Sequence, residues 1–142
     1  MTSRQKQLIR ETFPALHEVA GPLVQLFYGR LFQIAPSVRA MFSTDIGVQS
    51  RKFGDMLEVL VEGLDDFDRQ RPALRAMGLR HVAYGVVPAL YDTLATAFLW
   101  ALGHMLYPGF SPEVKSAWAA LIEDVSSTMK AGAAELPPAH NG

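Results

Sequence analysis

Three observations predict an all-α fold. Apolar residues recur at three-to-four spacing through most of the chain. Proline and glycine cut the sequence into blocks of helical length. No stretch alternates apolar and polar residues as a half-buried strand does. The 142 residues correspond to a single domain, 1–142, large enough to bury a core and a small cofactor. With 49% apolar and 19% charged residues the chain is globular and not disordered.

The blocks follow in order. Leu8, Ile9, Phe13, Leu16, Val19 and Ala20 share one face of a first helix, which Pro14 should bend or interrupt. Gly21-Pro22 ends that helix and opens a second, with Leu23, Leu26, Phe27, Leu31 and Ile34 facing inward. Pro36 opens a short block reaching Phe42, and Ser43 to Gly47 reads as a loop. A longer helix then carries Phe53, Met56, Leu57, Leu60, Val61 and Leu64 on one face. Asp65 to Arg71 reads as a solvated polar turn, its three aspartates lacking calcium-loop spacing. Pro72 starts a helix with Leu74, Met77 and His81, and Gly85 is placed to end it. Pro88 begins a long block with Leu90, Tyr91, Leu94, Phe98, Leu102 and Met105. Ser111-Pro112-Glu113 supplies a capping hydroxyl, a first-turn proline and an acid at the positive end of the last helix. That helix buries Val114, Ala117, Trp118, Leu121, Ile122, Val125 and Met129, and Pro137-Pro138 closes it. The total is about seven helices, without internal repeats.

Composition excludes several classes of function. A net charge of −1 leaves no electrostatic footprint for nucleic acid or an acidic membrane. The absence of cysteine excludes disulfides, zinc–thiolate sites, iron–sulfur clusters and thiol nucleophiles. The longest apolar run, Ala97 to Leu102, is far too short to span a bilayer, and the amino terminus lacks an apolar signal core. A soluble cytoplasmic protein without stable membrane insertion is expected. Phosphate-loop, nucleophile-elbow and His-Glu-x-x-His motifs are all missing.

The histidines are His17, His81, His104 and His140, none three to five residues from another, so no helix-face metal pair forms. His81 lies on the Leu74–Met77 face near the end of its helix. Alone, such a position is more often a hydrogen-bonded core or boundary histidine than a metal ligand. In the second case the imidazole offers one nitrogen to the metal and donates the other N–H to a backbone carbonyl, for which Met77 is one turn away.

Pro36-Ser37-Val38-Arg39-Ala40-Met41-Phe42 resembles the short globin C helix, with a proline opening the turn and a phenylalanine packing flat on the haem. Arg80-His81-Val82, 39 residues after Phe42, resembles the proximal histidine segment. Gly85-Val86, Tyr91, Leu31-Phe32 and Ala117-Trp118 extend the match over nearly the whole chain. The sequence is thus similar to bacterial single-domain globins of the Vitreoscilla type and to the globin half of flavohaemoglobins. The resemblance implies a globin fold with helices packed around one haem b, held by His81. With no Cys-x-x-Cys-His, covalent c-type attachment is not expected.

Further roles follow from the resemblance by position. Gln49 takes the place of the distal histidine of vertebrate globins, and Tyr28 that of a pocket tyrosine in bacterial globins. Both can donate a hydrogen bond to a bound diatomic ligand. Phe53 adds apolar bulk on the ligand side, and Lys52 reaches toward a haem propionate. Met56, Tyr84, Val86, Leu90 and Leu94 are candidates for the apolar walls. With no histidine between Phe42 and Arg80, the distal helix cannot supply a second histidine ligand. Tyr91 matches a tyrosine that, with a glutamate on the last helix, supports the proximal histidine in flavohaemoglobins. The glutamate position falls at Ala133, and Glu135 is two residues further, so efficient peroxidase action is not expected.

The implied function is binding of dioxygen and other diatomic ligands, with nitric oxide dioxygenation as a chemical use. The sequence stops where the flavin and nicotinamide domains of a flavohaemoglobin would begin, so a separate reductase is the expected partner. A gas or redox sensor acting on a protein partner is the alternative, and either a monomer or a homodimer is compatible with the sequence.

Overall fold

The computed structural model describes residues 1–41 and 46–135, with the side chains of 46, 49 and 50 not described. Six α-helices appear in order: α1 (Ser3–Glu18), α2 (Ala20–Ile34), α3 (Ile46–Glu62), α4 (Arg71–Ala83), α5 (Leu90–Leu106) and α6 (Pro112–Ala134). Two 3-10 segments, Pro36–Met41 and Leu64–Gln70, follow α2 and α3.

Helix α1 starts with a capping box. Thr2 Oγ1 accepts from the Gln5 amide at 3.1 Å, and Gln5 Oε1 accepts from the Thr2 amide at 2.9 Å. Of the bend or interruption expected at Pro14, the interruption does not occur: the residue lies inside a continuous α1. Proline removes one backbone bond, and burial of Leu8, Ile9 and Leu16 on a common face offsets that loss. The break instead falls at Val19, whose amide donates to Leu16 O at 3.1 Å. Ala20, Gly21 and Pro22 form the first turn of α2, where no intrahelical donor is required.

Other boundaries also shift. Gly47, read as loop, lies in α3, while 42–45 and Pro137-Pro138 fall outside the described residues. Ile34, read as buried, is 42% exposed because the helix ends there, one turn beyond the buried Leu31. Leu64 is buried, but in the 3-10 segment and not on α3. The Asp65–Arg71 turn is itself largely 3-10 helix, kinked at Asp66. Its aspartates pair with cations: Asp65 with Arg10 at 2.9 Å, Asp66 with Arg69 at 2.7 Å and Asp68 with Arg71 at 2.7 Å.

The main core joins α1, α2, α5 and α6 around Ile9, Leu23, Leu31, Ala101, Leu102 and Trp118. Trp118 Nε1 donates to Thr12 Oγ1 at 2.9 Å, which satisfies the one polar atom of this fully buried ring. A second, smaller cluster collects Leu60 from α3, Leu74 from α4, Tyr91 from α5 and Met129 from α6. The helices meeting there differ in how they meet. Helix α4 packs extensively on α6. Among the described residues it makes no extended close approach to α3 or to α5. Side chains therefore bridge a space that the backbones leave open.

Candidate functional site

The gap between α3 and α4 is the candidate site, and His81 stands on its α4 bank. Helix α4 ends immediately behind it. Gly85 adopts φ +93°, its amide donates to Val82 O at 3.0 Å, and the Val86 amide donates to His81 O at 3.0 Å. This is a Schellman stop, and its left-handed position favours glycine. It fixes the backbone of His81 and turns Val86 back onto the small cluster.

The ring of His81 is equally constrained. Nδ1 lies 2.7 Å from Met77 O. A carbonyl can only accept, so Nδ1 carries the proton and Nε2 keeps a lone pair. Burial holds the imidazole below its ordinary pKa; the Met77 bond opposes that shift and the Arg80 charge adds to it. The neutral, ligating form is therefore favoured. Tyr84 meets the ring edge-on, with centroids 5.5 Å apart, but is itself 56% exposed.

Met56 from α3, Met77 from α4, Val86 from the following turn, and Tyr91 and Leu94 from α5 all lie in or against the small cluster. Of these, Met77 and Val86 also hydrogen-bond to His81 through their backbones. Leu94 also touches the main core, as do Leu90 and Phe53. Phe53 packs within an aromatic group, 5.2 Å from Phe27 and 5.3 Å from Phe98. Tyr28 is buried beside it, tilted on Phe27 at 5.1 Å and stacked on Phe32 at 6.1 Å. Burial pushes its phenol up to about 12, so the hydroxyl keeps its proton at neutral pH. Lys52 is exposed on α3. Phe42 lies outside the described residues, and Gln49 sits in α3 with its side chain not described.

Neither candidate for proximal support is hydrogen-bonded to His81 among the described residues. The Tyr91 hydroxyl is buried with no hydrogen-bond partner among the described residues, while the Nδ1 proton of His81 goes to Met77 O. Ala133 is half-buried near the end of α6, and Glu135 is the exposed residue that caps this helix. The other histidines stand elsewhere: His17 Nε2 is 3.7 Å from Glu58, and His104 stacks on Trp100 with centroids 4.1 Å apart. His140 is outside the described residues. Among the described residues no three His, Cys, Asp or Glu side chains form a metal cluster, and no helix is long and apolar enough to cross a membrane.

Reasoning from the sequence missed the glycines that seat α4. A Cβ at Gly78 would overlap Met129 O and stand 2.6 Å from Met129 C. A Cβ at Gly132 would overlap Arg75 O and stand 2.6 Å from Arg75 C. Glycine in a helix interior costs about 1 kcal/mol against alanine, which is the one signal the sequence carries for such a contact.

The globin family model matches residues 25–129, and the chain belongs to the globin family. It is 24% identical over 132 residues to an anaerobic nitrite reductase of Oryza sativa subsp. indica, covering 89% of this chain and 91% of that protein. It is 22% identical over 139 residues to a flavohemoprotein of Rhizobium meliloti, covering 96% of this chain and 34% of that protein. The chain thus spans about a third of that flavohemoprotein. An engineered carbene transferase from Rhodothermus marinus superimposes with a TM-score of 0.86 at 21% identity, over 95% of this chain and 94% of that one. Membership of the globin family implies a haem group. The residues present fit it: a neutral imidazole with one nitrogen tied back to Met77 O and the other unprotonated, on the helix whose Leu74 and Met77 join the small apolar cluster.

Proposed function

We propose that this chain is a haem b protein that binds dioxygen and other diatomic ligands, with His81 as the iron ligand. The bond from His81 Nδ1 to Met77 O carries the reading, because it sets the tautomer a ligating histidine needs and fixes the ring plane. When bound, the haem supplies an iron with one position left for a diatomic ligand. The chain supplies the rest. Met56, Met77, Val86 and Leu94 exclude water from the gap. Tyr28, held as a neutral phenol, and Gln49 donate hydrogen bonds on the ligand side. Phe42 and Phe53 supply apolar surface there, and exposed Lys52 offers a cation to a haem propionate.

The chemical use implied by the resemblance, and in accord with the candidate nitric oxide dioxygenase of Rhodothermus marinus, is nitric oxide dioxygenation, with reducing equivalents from a separate reductase. Without a carboxylate on the His81 Nδ1 proton, the imidazole stays a neutral donor and peroxide turnover is slow.

Stopped-flow kinetics test the reading. Tyr28→Phe and Gln49→Leu should each speed dioxygen release by roughly tenfold, the equivalent of one hydrogen bond. Carbon monoxide release should change less, because that ligand is less polar. The two variants share a pocket and should not add. Mixing the oxygenated protein with nitric oxide should yield nitrate. Unchanged dioxygen release in both variants removes the ligand-contact roles, and absence of nitrate removes the dioxygenase reading.

A further inference from the structure

The seam between α4 and α6 brings backbone against backbone, and at Gly78 it lies one turn from His81. Most helix pairs keep their axes apart by side chains that fill the space between them. Here backbone meets backbone at two points. Gly78 faces Met129, and Gly132 faces Arg75, so each helix contributes a glycine against the main chain of the other. Both glycines are buried. The contrast with Gly29 shows that this is not a general property of helical glycines here: a Cβ at Gly29, inside α2, meets nothing within 4 Å.

The same seam is clamped at the start of α4. Arg71 Nη1 donates to Thr128 Oγ1 at 2.8 Å, and Thr128 Oγ1 donates to Asp124 O at 2.8 Å. Arg71 Nε donates to Asp68 at 2.7 Å, and the guanidinium lies 4.7 Å from the centre of the Phe67 ring. Because α4 makes no extended approach to α3 or α5 among the described residues, α6 is what sets its position. Met77 O, which holds the His81 ring, belongs to the peptide that joins Met77 to Gly78.

We propose that the Gly78–Gly132 seam, with the Arg71–Thr128 clamp, is a positioning device for His81: it fixes how far the imidazole reaches into the gap and so tunes its bond to the iron. Gly78, Gly132 and Thr128 are positioning residues and touch neither haem nor ligand. The inference rests on the haem reading above. An alanine at either glycine must move its Cβ out of overlap with a backbone carbonyl oxygen to the 3.4 Å at which ordinary contact begins. The obstacle is backbone and cannot rotate away, so α4 moves relative to α6 and carries His81 with it.

The test uses the full chain loaded with haem, as Gly78→Ala, Gly132→Ala and, for comparison, Gly29→Ala. Three quantities are read: the iron–histidine stretch of the ferrous form by resonance Raman, the rate of haem loss, and the melting temperature. Gly78→Ala and Gly132→Ala should shift the stretch and speed haem loss by on the order of tenfold, with helicity retained. Gly29→Ala should leave the stretch and haem loss unchanged. A lower melting temperature with unaltered stretch and haem loss would mean that the seam is structural only, and overturns the proposal. Should the alanine variants fail to fold, Thr128→Val releases the clamp at nearly constant volume; a shifted stretch then supports the proposal and an unchanged one overturns it. If the wild-type chain shows no iron–histidine stretch at all, the haem reading has failed and the inference falls with it, a result distinct from the other outcomes.

Discussion

The two banks of the gap are held by different means. On the α4 bank, main chain lies against main chain at Gly78 and Gly132, a Schellman stop follows His81, and a backbone carbonyl orients the ring. On the α3 bank, the helix is held by side chains. Phe53 packs with Phe27 and Phe98, and a Cβ added at Gly54 would stand 4.0 Å from Ala20 Cβ, no nearer than ordinary contact. A contact between backbones cannot relax by changing a rotamer, whereas an aromatic cluster can repack. The difference suits the tasks that the proposed haem reading gives the two banks: a metal ligand needs one fixed distance, and a side that admits a small ligand needs room to adjust.

Breaking the aromatic cluster should have the largest effect on stability. Phe98→Ala removes the ring that touches both Phe27 and Phe53 edge-on, and should cost about 3–5 kcal/mol in urea unfolding. If the banks are independent, the iron–histidine stretch of the surviving folded protein should not move. A shifted stretch would show that the two banks are coupled through the main core.

A smaller effect should appear at high pH. Folding raises the Tyr28 phenol from the ordinary value of about 10 to about 12, because burial disfavours the phenolate. The stability that this shift contributes is fully present below pH 10 and is lost as pH rises from 10 to 12, where the unfolded chain ionises and the folded one does not. The loss should approach about 2 kcal/mol at pH 12. Tyr28→Phe should show a flatter decline of stability across this interval. An identical slope in the variant would place the Tyr28 hydroxyl in water and the ligand side open.

The smallest effect belongs to Tyr91. Its hydroxyl is buried and has no partner among the described residues, so removing it should change stability by no more than about 1 kcal/mol, toward greater stability. Tyr91→Phe should also leave the iron–histidine stretch at a low, myoglobin-like frequency, since the His81 Nδ1 proton goes to Met77 O. A marked loss of stability with a shifted stretch would mean that Tyr91 supports the histidine in the loaded protein. Glu135→Gln tests the same point from α6 and should leave the stretch unchanged.

The α4 bank was legible in the sequence only where special residues mark it. Gly85 declared the end of a helix, and His81 with Met77 one turn earlier declared an imidazole with a carbonyl in reach. Ser111-Pro112-Glu113 marked the start of α6, where Ser111 Oγ accepts from the Val114 amide at 3.2 Å. The seam was not legible. Gly78 and Gly29 look alike as letters inside amphipathic helices, yet one meets a backbone and the other nothing. Their difference is set by which helix lies across them, and that depends on residues far away in sequence. Pro14 misled for a related reason: local chemistry argued for a break, and burial on either side of it decided otherwise. The Thr2 capping box was readable from its own spacing and was overlooked. Clustering of Met56, Val86 and Leu94 with Leu74 and Met77 of α4 required the tertiary fold, because apolar residues at helical spacing occur throughout this chain.

The most direct test is reconstitution of His81→Ala with haem, beside His17→Ala, His104→Ala and His140→Ala. The optical and resonance Raman spectra of the ferrous forms are then compared. His81→Ala should lose most of its haem or give a weak, altered spectrum without an iron–histidine stretch, and the other three should match the wild type. A normal five-coordinate, histidine-ligated ferrous spectrum in His81→Ala would contradict the assignment of His81 as the iron ligand.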